Sequence, residues 1–457
     1  MDLVSFKDPD GFVFKFNEKI YRCIYQNSSN NYLDIFEKDF FIHLIKEKKI
    51  ISFKEVENNF FDKLDKIEKN DKILNIDKID YFSSPYEWPF DQLKDAAIFH
   101  LDLEIFLLKN DHCLKDASSK NIIFKNNKPL FIDLLSFKKY KKGDFWLGQI
   151  QFYQEFLNPL LLKSKLGIDY NYWYESNFYG IYSEDLNKIL KYYQKFFPSI
   201  FFHVVLPSVT RNLFKNKGKK INSSSNFSKE KYIYILSSLK KIIKNLKISK
   251  KKKSRWSSYN DFLPYKVEEF EKKKNFIKKF LDENYFKNIV DLGCNDGTFL
   301  FLSSQKSNLI GYDFDHECIN NSYIKSKGKK ENCIFFVKNL AKEIIQQKKI
   351  QIKNIDVCLS LALIHHLRVT ENIPINKIIS YILSVADEGL IEFVSKNDEK
   401  FVEILGLKKD TYEDYTLDNI VNLLKKNSYD IKKIYEIKND KRFLIHYKKI
   451  NKAEFIE

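Results

Sequence analysis

Two stretches of the chain carry residue types at spacings that could do chemistry. In LKDASSKNIIFKNNKPLFIDLLSF (114–137), Asp116 is followed after four residues by Asn121, then by an apolar run, the polar turn KNNK, a second apolar run and Asp133. A carboxylate such as Asp116 can orient an attacking hydroxyl, and Asn121 with Asp133 offers two oxygens of the kind that hold Mg²⁺ against the phosphates of a nucleotide. In NIVDLGCNDGTF (288–299), an apolar run leads into Asp291, Gly293, Asn295 and Gly297. Glycines there let the backbone turn tightly and approach a ligand closely. A pyrophosphate loop would read G-x-G-x-x-G. Here an acid precedes the first glycine and Asn295 stands in place of the middle one, which suits a cationic amino-acid ligand beside a carboxylate better.

The elements around the second stretch alternate between helices and short apolar strands: NIVDLG, LIGYDF, CIFFVKN, DVCLSLA, GLIEFV, KKIYEIK and FLIHYKK. That alternation predicts a doubly wound α/β sheet, with the last two strands joined through NDKR as an antiparallel hairpin at its edge. The second strand ends in Asp313, 20 positions after Gly293 and placed to accept both hydroxyls of a ribose. The third ends in VKN, where Asn339 can reach an adenine edge. The fourth delivers Ser360, Ala362, His365 and His366 to the carboxyl end of the sheet, where open α/β folds bind ligands. Histidine suits proton removal near neutral pH. His365 is the expected base, with the other ring of the pair packed on the sheet. Glu392, Lys396 and Tyr415 are placed to line an acceptor.

This set resembles the class I S-adenosylmethionine-dependent methyltransferases over roughly residues 260–457. The resemblance implies a Rossmann-like seven-stranded α/β sheet. It also implies that Asp291, Gly293 and Gly297 surround the methionine end of the cofactor, that Asp313 holds the ribose and that Asn339 lies near the adenine. Asn295, Ser360 and Ala362 complete the implied cofactor set. Many members have Asp where Asn339 stands. Base-directed methyltransferases usually show a [DNS]-P-P-[YF] segment where this chain has SLALIHH, so the expected acceptor is a hydroxyl on a sugar or small polar metabolite.

The first stretch, with the helix before it, resembles the α+β fold of aminoglycoside phosphotransferases and protein kinases over residues 1–245. The resemblance makes Asp116 catalytic, Asn121 and Asp133 the Mg²⁺ ligands, and Arg22 the nearest cation for a nucleotide, with Glu37 as its helix partner. The departures are LKD in place of H-R-D or H-G-D, DLL in place of D-F-G, and a hairpin whose only glycine is Gly11. ATP and Mg are therefore expected only if this site is active, and turnover is expected to be weak or absent. Taken whole, the chain resembles a bacterial family of long methyltransferases, some named for nodulation or surface-glycan loci. The shared segments are YEWPFDQLKDAA (86–97), KDAS…IDLLSF and ALIHHL…IEFV. These motifs leave open a bifunctional kinase-methyltransferase acting on a glycan end, and a non-catalytic binding or scaffold protein.

A length of 457 residues predicts two domains, taken as 1–245 and 260–457 with a basic linker at 246–259. The formal charge of +17 invites a nucleic-acid partner, but Arg occurs only at 22, 211, 255, 368 and 442 among 78 basic residues. A Lys-rich, Arg-poor surface lacks the usual reader of guanine and phosphate, so nucleic acid is not the expected partner. The Lys-rich segment 247–255 keeps an RNA-binding methyltransferase as the rival reading. Apolar residues at three-four spacing predict a Ser228-capped helix in YIYILSSLKKIIKNLKI that packs on its own domain. YLDIFEKDFFIHLIKEKK and FDQLKDAAIFHLDLEIFLLKND are each expected as one helix, and GFVFKF with KIYRCIY as a hairpin. No apolar run approaches the roughly 18 residues of a membrane span. With no signal pattern and scattered cysteines, the expected location is cytoplasmic with reduced thiols.

Overall fold

Alternating side chains along GFVFKF and KIYRCI put Phe12, Phe14, Tyr21 and Cys23 into one small apolar core, which fixes the register of the first hairpin. Its two-residue turn places Asn17 (φ 46°) and Glu18 (φ 60°) in the left-handed region that matches strand twist. In this computed structural model, residues 2–5, 8–57, 66–79, 81–209, 228–248, 265–329, 331–350 and 352–450 are described. The chain divides into two units, Met1–Tyr86 with Gln92–Ser249 and Glu87–Asp91 with Lys250–Glu457.

The first unit opens with an antiparallel sheet of β1 (Asp2–Ser5), β2 (Gly11–Phe16), β3 (Lys19–Ile24), β4 (Phe53–Val56) and β5 (Lys72–Ile76), in the order β1-β2-β3-β5-β4. The expected single helix after it is two, Gln26–Phe36 and Asp39–Lys46, with Lys38 extended between them. The apolar stripe explains the break. Phe36 and Phe41 are both buried and pack together at 4.9 Å, and a spacing of five cannot stay on one face of a continuous helix. The long helix Phe90–Lys109 leads into β6 (His112–Leu114), then β7 (Ile122–Lys125) and β8 (Lys128–Phe131), then β9 (Phe137–Lys139), which pairs back on β6. Asn126 (φ 51°) and Asn127 (φ 59°) make the β7–β8 turn. The helix Lys229–Asn245 is capped by Ser228 and buries Tyr232, Leu236, Leu239 and Ile243 within this unit. Of the expected linker, residues 246–248 are described and Leu246 is buried; residues 249–259, with most of the Lys-rich segment, lie outside the described residues.

The second unit is built on β10 (Asn288–Leu292), β11 (Asn308–Asp313), β12 (Asn332–Val337), β13 (Val357–Ser360), β14 (Glu388–Val394), β15 (Tyr429–Lys438) and β16 (Arg442–Lys449). Their order is β12-β11-β10-β13-β14-β16-β15, the first five parallel and β16 antiparallel to both neighbours. Every residue of β10, β13 and β14 is buried, as expected where helices cover both faces of a parallel sheet. The strand order reverses between β10 and β13, so a crevice opens at their carboxyl ends. All six cysteines are free and buried. Among the described residues no helix is long and apolar enough to cross a membrane.

Candidate functional site

A cavity of about 570 Å³ occupies that crevice. Its walls come from the turns after four consecutive parallel strands: Gly293–Asp296 after β10, Asp313 and Phe314 after β11, Lys338 and Asn339 after β12, and Leu361–Leu363 after β13. The glycine loop needs unusual backbone. Gly293 (φ 77°), Asn295 (φ 50°), Gly297 (φ 76°) and Ala362 (φ 51°) all lie in the left-handed region, where a non-glycine residue is held only by its surroundings. A Cβ on Gly293 would meet Leu363 at 3.1 Å, so that residue is small for packing as well as for conformation.

Asp313 braces this loop. One carboxylate oxygen accepts the Asn295 N–H (2.9 Å) and the other the Asp315 N–H (2.9 Å). Each oxygen keeps further lone-pair capacity toward the cavity, which is what a vicinal diol needs. Burial pushes the Asp313 carboxyl up to about 6, against the pull of those amides. Asn339 also reaches the cavity, but its side-chain oxygen accepts from Lys342 N–H (3.1 Å) as the cap of the helix Leu340–Ile345. Asp296, absent from the sequence expectations, joins the lining with its carboxylate held by Thr298 and by Lys325 (2.6 Å).

Asp291 does not line the cavity. It lies beneath the loop, 1% exposed, with one oxygen unpartnered. Burial pushes its carboxyl up to about 8, although Lys273 pulls the other way. Around it sits a buried ionic cluster. Lys273 pairs with Glu392 (2.6 Å), and the Arg442 guanidinium grips both oxygens of Asp398 (2.8 Å each) while reaching Tyr265 Oη (2.7 Å). Burial alone would raise Glu392, but Lys273 and Arg442 reverse that and leave it below its ordinary value. The expected acceptor-side trio therefore lies elsewhere. Glu392 serves this cluster, Lys396 pairs with Asp410 (2.9 Å), and Tyr415 is wholly buried with its hydroxyl donating to Val394 O (2.9 Å). Tyr265 and Lys273 line the cavity instead, with Glu371, Lys400 and Glu403.

The two histidines separate. His366 lines the cavity. His365 is 1% exposed, neither of its ring nitrogens has a partner, and burial holds it neutral far below the ordinary range. Their rings touch, with centroids 4.2 Å apart. The placement thus favours His366 over the expected His365 as the ring that meets a substrate. Ser360 is likewise buried, below the cavity floor, with its hydroxyl unpartnered.

In the first unit, the sequence-selected residues come together. Asp116 accepts from Asn121 Nδ2 (3.0 Å) and Ser136 Oγ (2.9 Å). Burial, and then repulsion from Asp133, push its carboxyl up to about 6. Arg22 pairs with Asp133 (3.0 Å), not with the exposed Glu37. Asp10, from the loop before β2, pairs with Lys115 and takes the Tyr32 hydroxyl (2.6 Å). Asp8, on the same loop, is raised by burial and further by Asp133. A carboxylate such as Asp8 beside Asp133 repels phosphate, and Arg22 already supplies Asp133 with a cation. Among the described residues no group of three or more His, Cys, Asp or Glu side chains is arranged to hold a metal.

The strand order of the second unit, with a glycine loop after β10 and an acid ending β11, is the fold of the class I methyltransferases. No family model matches the chain. Along nearly its whole length it is similar to the nodulation protein NoeA of Rhizobium meliloti (strain 1021), with 29% identity over 460 residues, covering 97% of this chain and 95% of that protein. Among solved structures, the bifunctional kinase-methyltransferase WbdD matches 42% of this chain and 41% of its own, at 15% identity and a TM-score of 0.30. The magnesium protoporphyrin IX methyltransferase ChlM of Synechocystis PCC 6803 matches 40% and 84%, at 16% identity and a TM-score of 0.31.

Proposed function

We propose that the C-terminal unit is an S-adenosylmethionine-dependent methyltransferase that methylates a hydroxyl of a sugar or related small polar acceptor. The observation that carries this reading is the cavity itself. Its volume of about 570 Å³ suits a nucleoside-sized ligand, and it joins the glycine loop, the Asp313 carboxylate and His366 in one space. The cofactor supplies an activated methyl group. Asp313 would accept the ribose hydroxyls and Asn339 would face the base. Asp291, buried beneath the loop, would support it from below. His366 would take the acceptor proton as the oxygen–methyl bond forms and the sulfur–methyl bond breaks, with Glu371, Lys400 and Glu403 offering hydrogen bonds to a polyhydroxylated acceptor. General-base help of this kind contributes about 10²–10⁴-fold.

The test is methyl transfer from labelled S-adenosylmethionine to a panel of sugars, with calorimetry of cofactor binding alongside. His366→Ala should lose about 10²–10⁴-fold in turnover and keep its cofactor affinity. Full turnover in that variant would remove His366 from the reaction, and no cofactor binding by the parent chain would remove the whole reading.

For the N-terminal unit we infer a kinase-like unit that docks the acceptor without phosphotransfer. The gathered Asp116, Asn121 and Asp133 support the layout. The Arg22–Asp133 pair and the acidic loop argue against turnover.

A further inference from the structure

Between residues 192 and 209 the first unit carries a helical segment that is apolar on the side facing away from its core. Ile200 and Val204, one turn apart, are wholly buried and fix the segment in place, as does the bond between His203 and Tyr153 Oη (2.7 Å). Around them two short helical pieces, Tyr192–Phe196 and the stretch from Pro198, meet at the extended Phe197 and expose Tyr192 (79% exposed), Tyr193, Phe196 (65%), Phe197, Phe201 and Phe202 (59%). With about 200 Å² on each such side chain, these six together expose on the order of 700 Å² of aromatic surface within 11 residues, with Tyr192 against Phe196 (5.1 Å) and Phe201 against Phe202 (5.4 Å).

The surrounding sequence says what covers it. From Leu186 to Ser228 there is no Asp or Glu in 43 residues, against seven Lys and one Arg; residues 210–227 of that run lie outside the described residues. Lys188, Lys191 and Lys195 lead directly into the aromatic segment. Lys188 pairs with Asp185 (3.0 Å), which leaves Lys191 and Lys195 beside the rings, and aromatic side chains flanked by lysines match the two layers of an anionic bilayer surface, acyl boundary and headgroup. A symmetric contact with a second copy would instead bring the same basic flanks together, which costs energy.

We propose that residues 192–209, with Lys191 and Lys195 among their flanks, dock the protein onto an anionic phospholipid surface without spanning it. The full chain should sediment with phosphatidylcholine vesicles containing about one third phosphatidylglycerol and stay in solution with pure phosphatidylcholine. Partitioning should weaken with added salt. Phe201→Ser with Phe202→Ser should lower it at least about tenfold at unchanged melting temperature. Should that pair unfold the unit, Phe196→Ser alone tests the same surface, since its ring is exposed. Lys191→Glu with Lys195→Glu should remove the preference for anionic vesicles. The proposal is overturned if the parent chain ignores both vesicle types, or if the Phe variants partition like the parent. It is equally overturned if light scattering shows a parent dimer that the Phe substitutions split while vesicles have no effect, because the patch then joins two copies.

Discussion

Replacing Asp313 by Asn separates two jobs that one carboxylate performs in this structure. Its oxygens brace the glycine loop through Asn295 and Asp315, and in the proposed reading they also accept two ribose hydroxyls. An amide keeps one acceptor oxygen, so the loop loses less than it would in Ala, while the charge is gone. Hydrogen bonds to a charged partner are worth about 1.5–3 kcal/mol, so cofactor affinity should fall about 10- to 100-fold. The pH dependence identifies the cause. With its carboxyl pushed up to about 6, the free protein holds Asp313 ionised at pH 7.5 and largely protonated one unit below that value. Affinity of the parent should therefore drop about tenfold between pH 7.5 and pH 5. Stability moves the other way. The folded state binds this proton more tightly than the unfolded state, whose value is the ordinary 3.8. The Asp313 contribution to the stability of the cofactor-free protein thus rises as pH falls from about 6 to about 4, by at most about 3 kcal/mol. Calorimetry across pH 5–8 measures the first effect, and urea unfolding of parent and variant measures the second. Equal affinities and equal pH profiles in parent and Asp313→Asn would refute the argument. A weaker variant that keeps the parent's pH profile would show that the carboxylate only braces the loop.

Three further outcomes follow from the same geometry. Arg442→Met leaves Asp398 and Glu392 buried without their guanidinium, and should cost roughly 3–5 kcal/mol in urea unfolding; a loss under about 1 kcal/mol would mean the cluster relaxes around the gap. His365→Phe removes two unpartnered buried nitrogens and should leave methyl transfer and stability near the parent's, whereas a turnover loss matching that of His366→Ala would return the base role to His365. Millimolar Mg·ATP should not raise the melting temperature of the full chain, since a ligand stabilises only what it binds; a rise that Asp133→Ala abolishes would reveal a working phosphate site.

What could be read in the chain beforehand depended on whether a residue's surroundings were local. The glycine loop, the strand ends and the two Asn- or Glu-bearing hairpin turns are set by neighbours a few positions away, and their spacing located Asp313 and Asn339 at the cavity. The choice between His365 and His366 depends on which ring turns into the sheet, and adjacent residues of a tight turn after a strand carry no period that says so. Lys273 was legible in principle. In VEEFEKKKNFIKKFLDE it stands four before Ile277 and seven before Phe280, on the apolar stripe of its helix, while Lys272 and Lys274 beside it fall off that stripe. A lysine on the buried face needs a buried anion, and Glu392 in the middle of an apolar strand is the complementary signal. The scarcity of Arg had a second meaning too. In a composition where Lys fills nearly every basic position, Arg22, Arg368 and Arg442 each face a carboxylate: Asp133, Asp414 and Asp398. Arg368 and Arg442 each reach both oxygens of theirs, a fork geometry that Lys cannot supply. These three arginines of the described residues therefore mark places where the fold uses a planar cation, and two of those places, Asp133 and Asp398, adjoin the two sites.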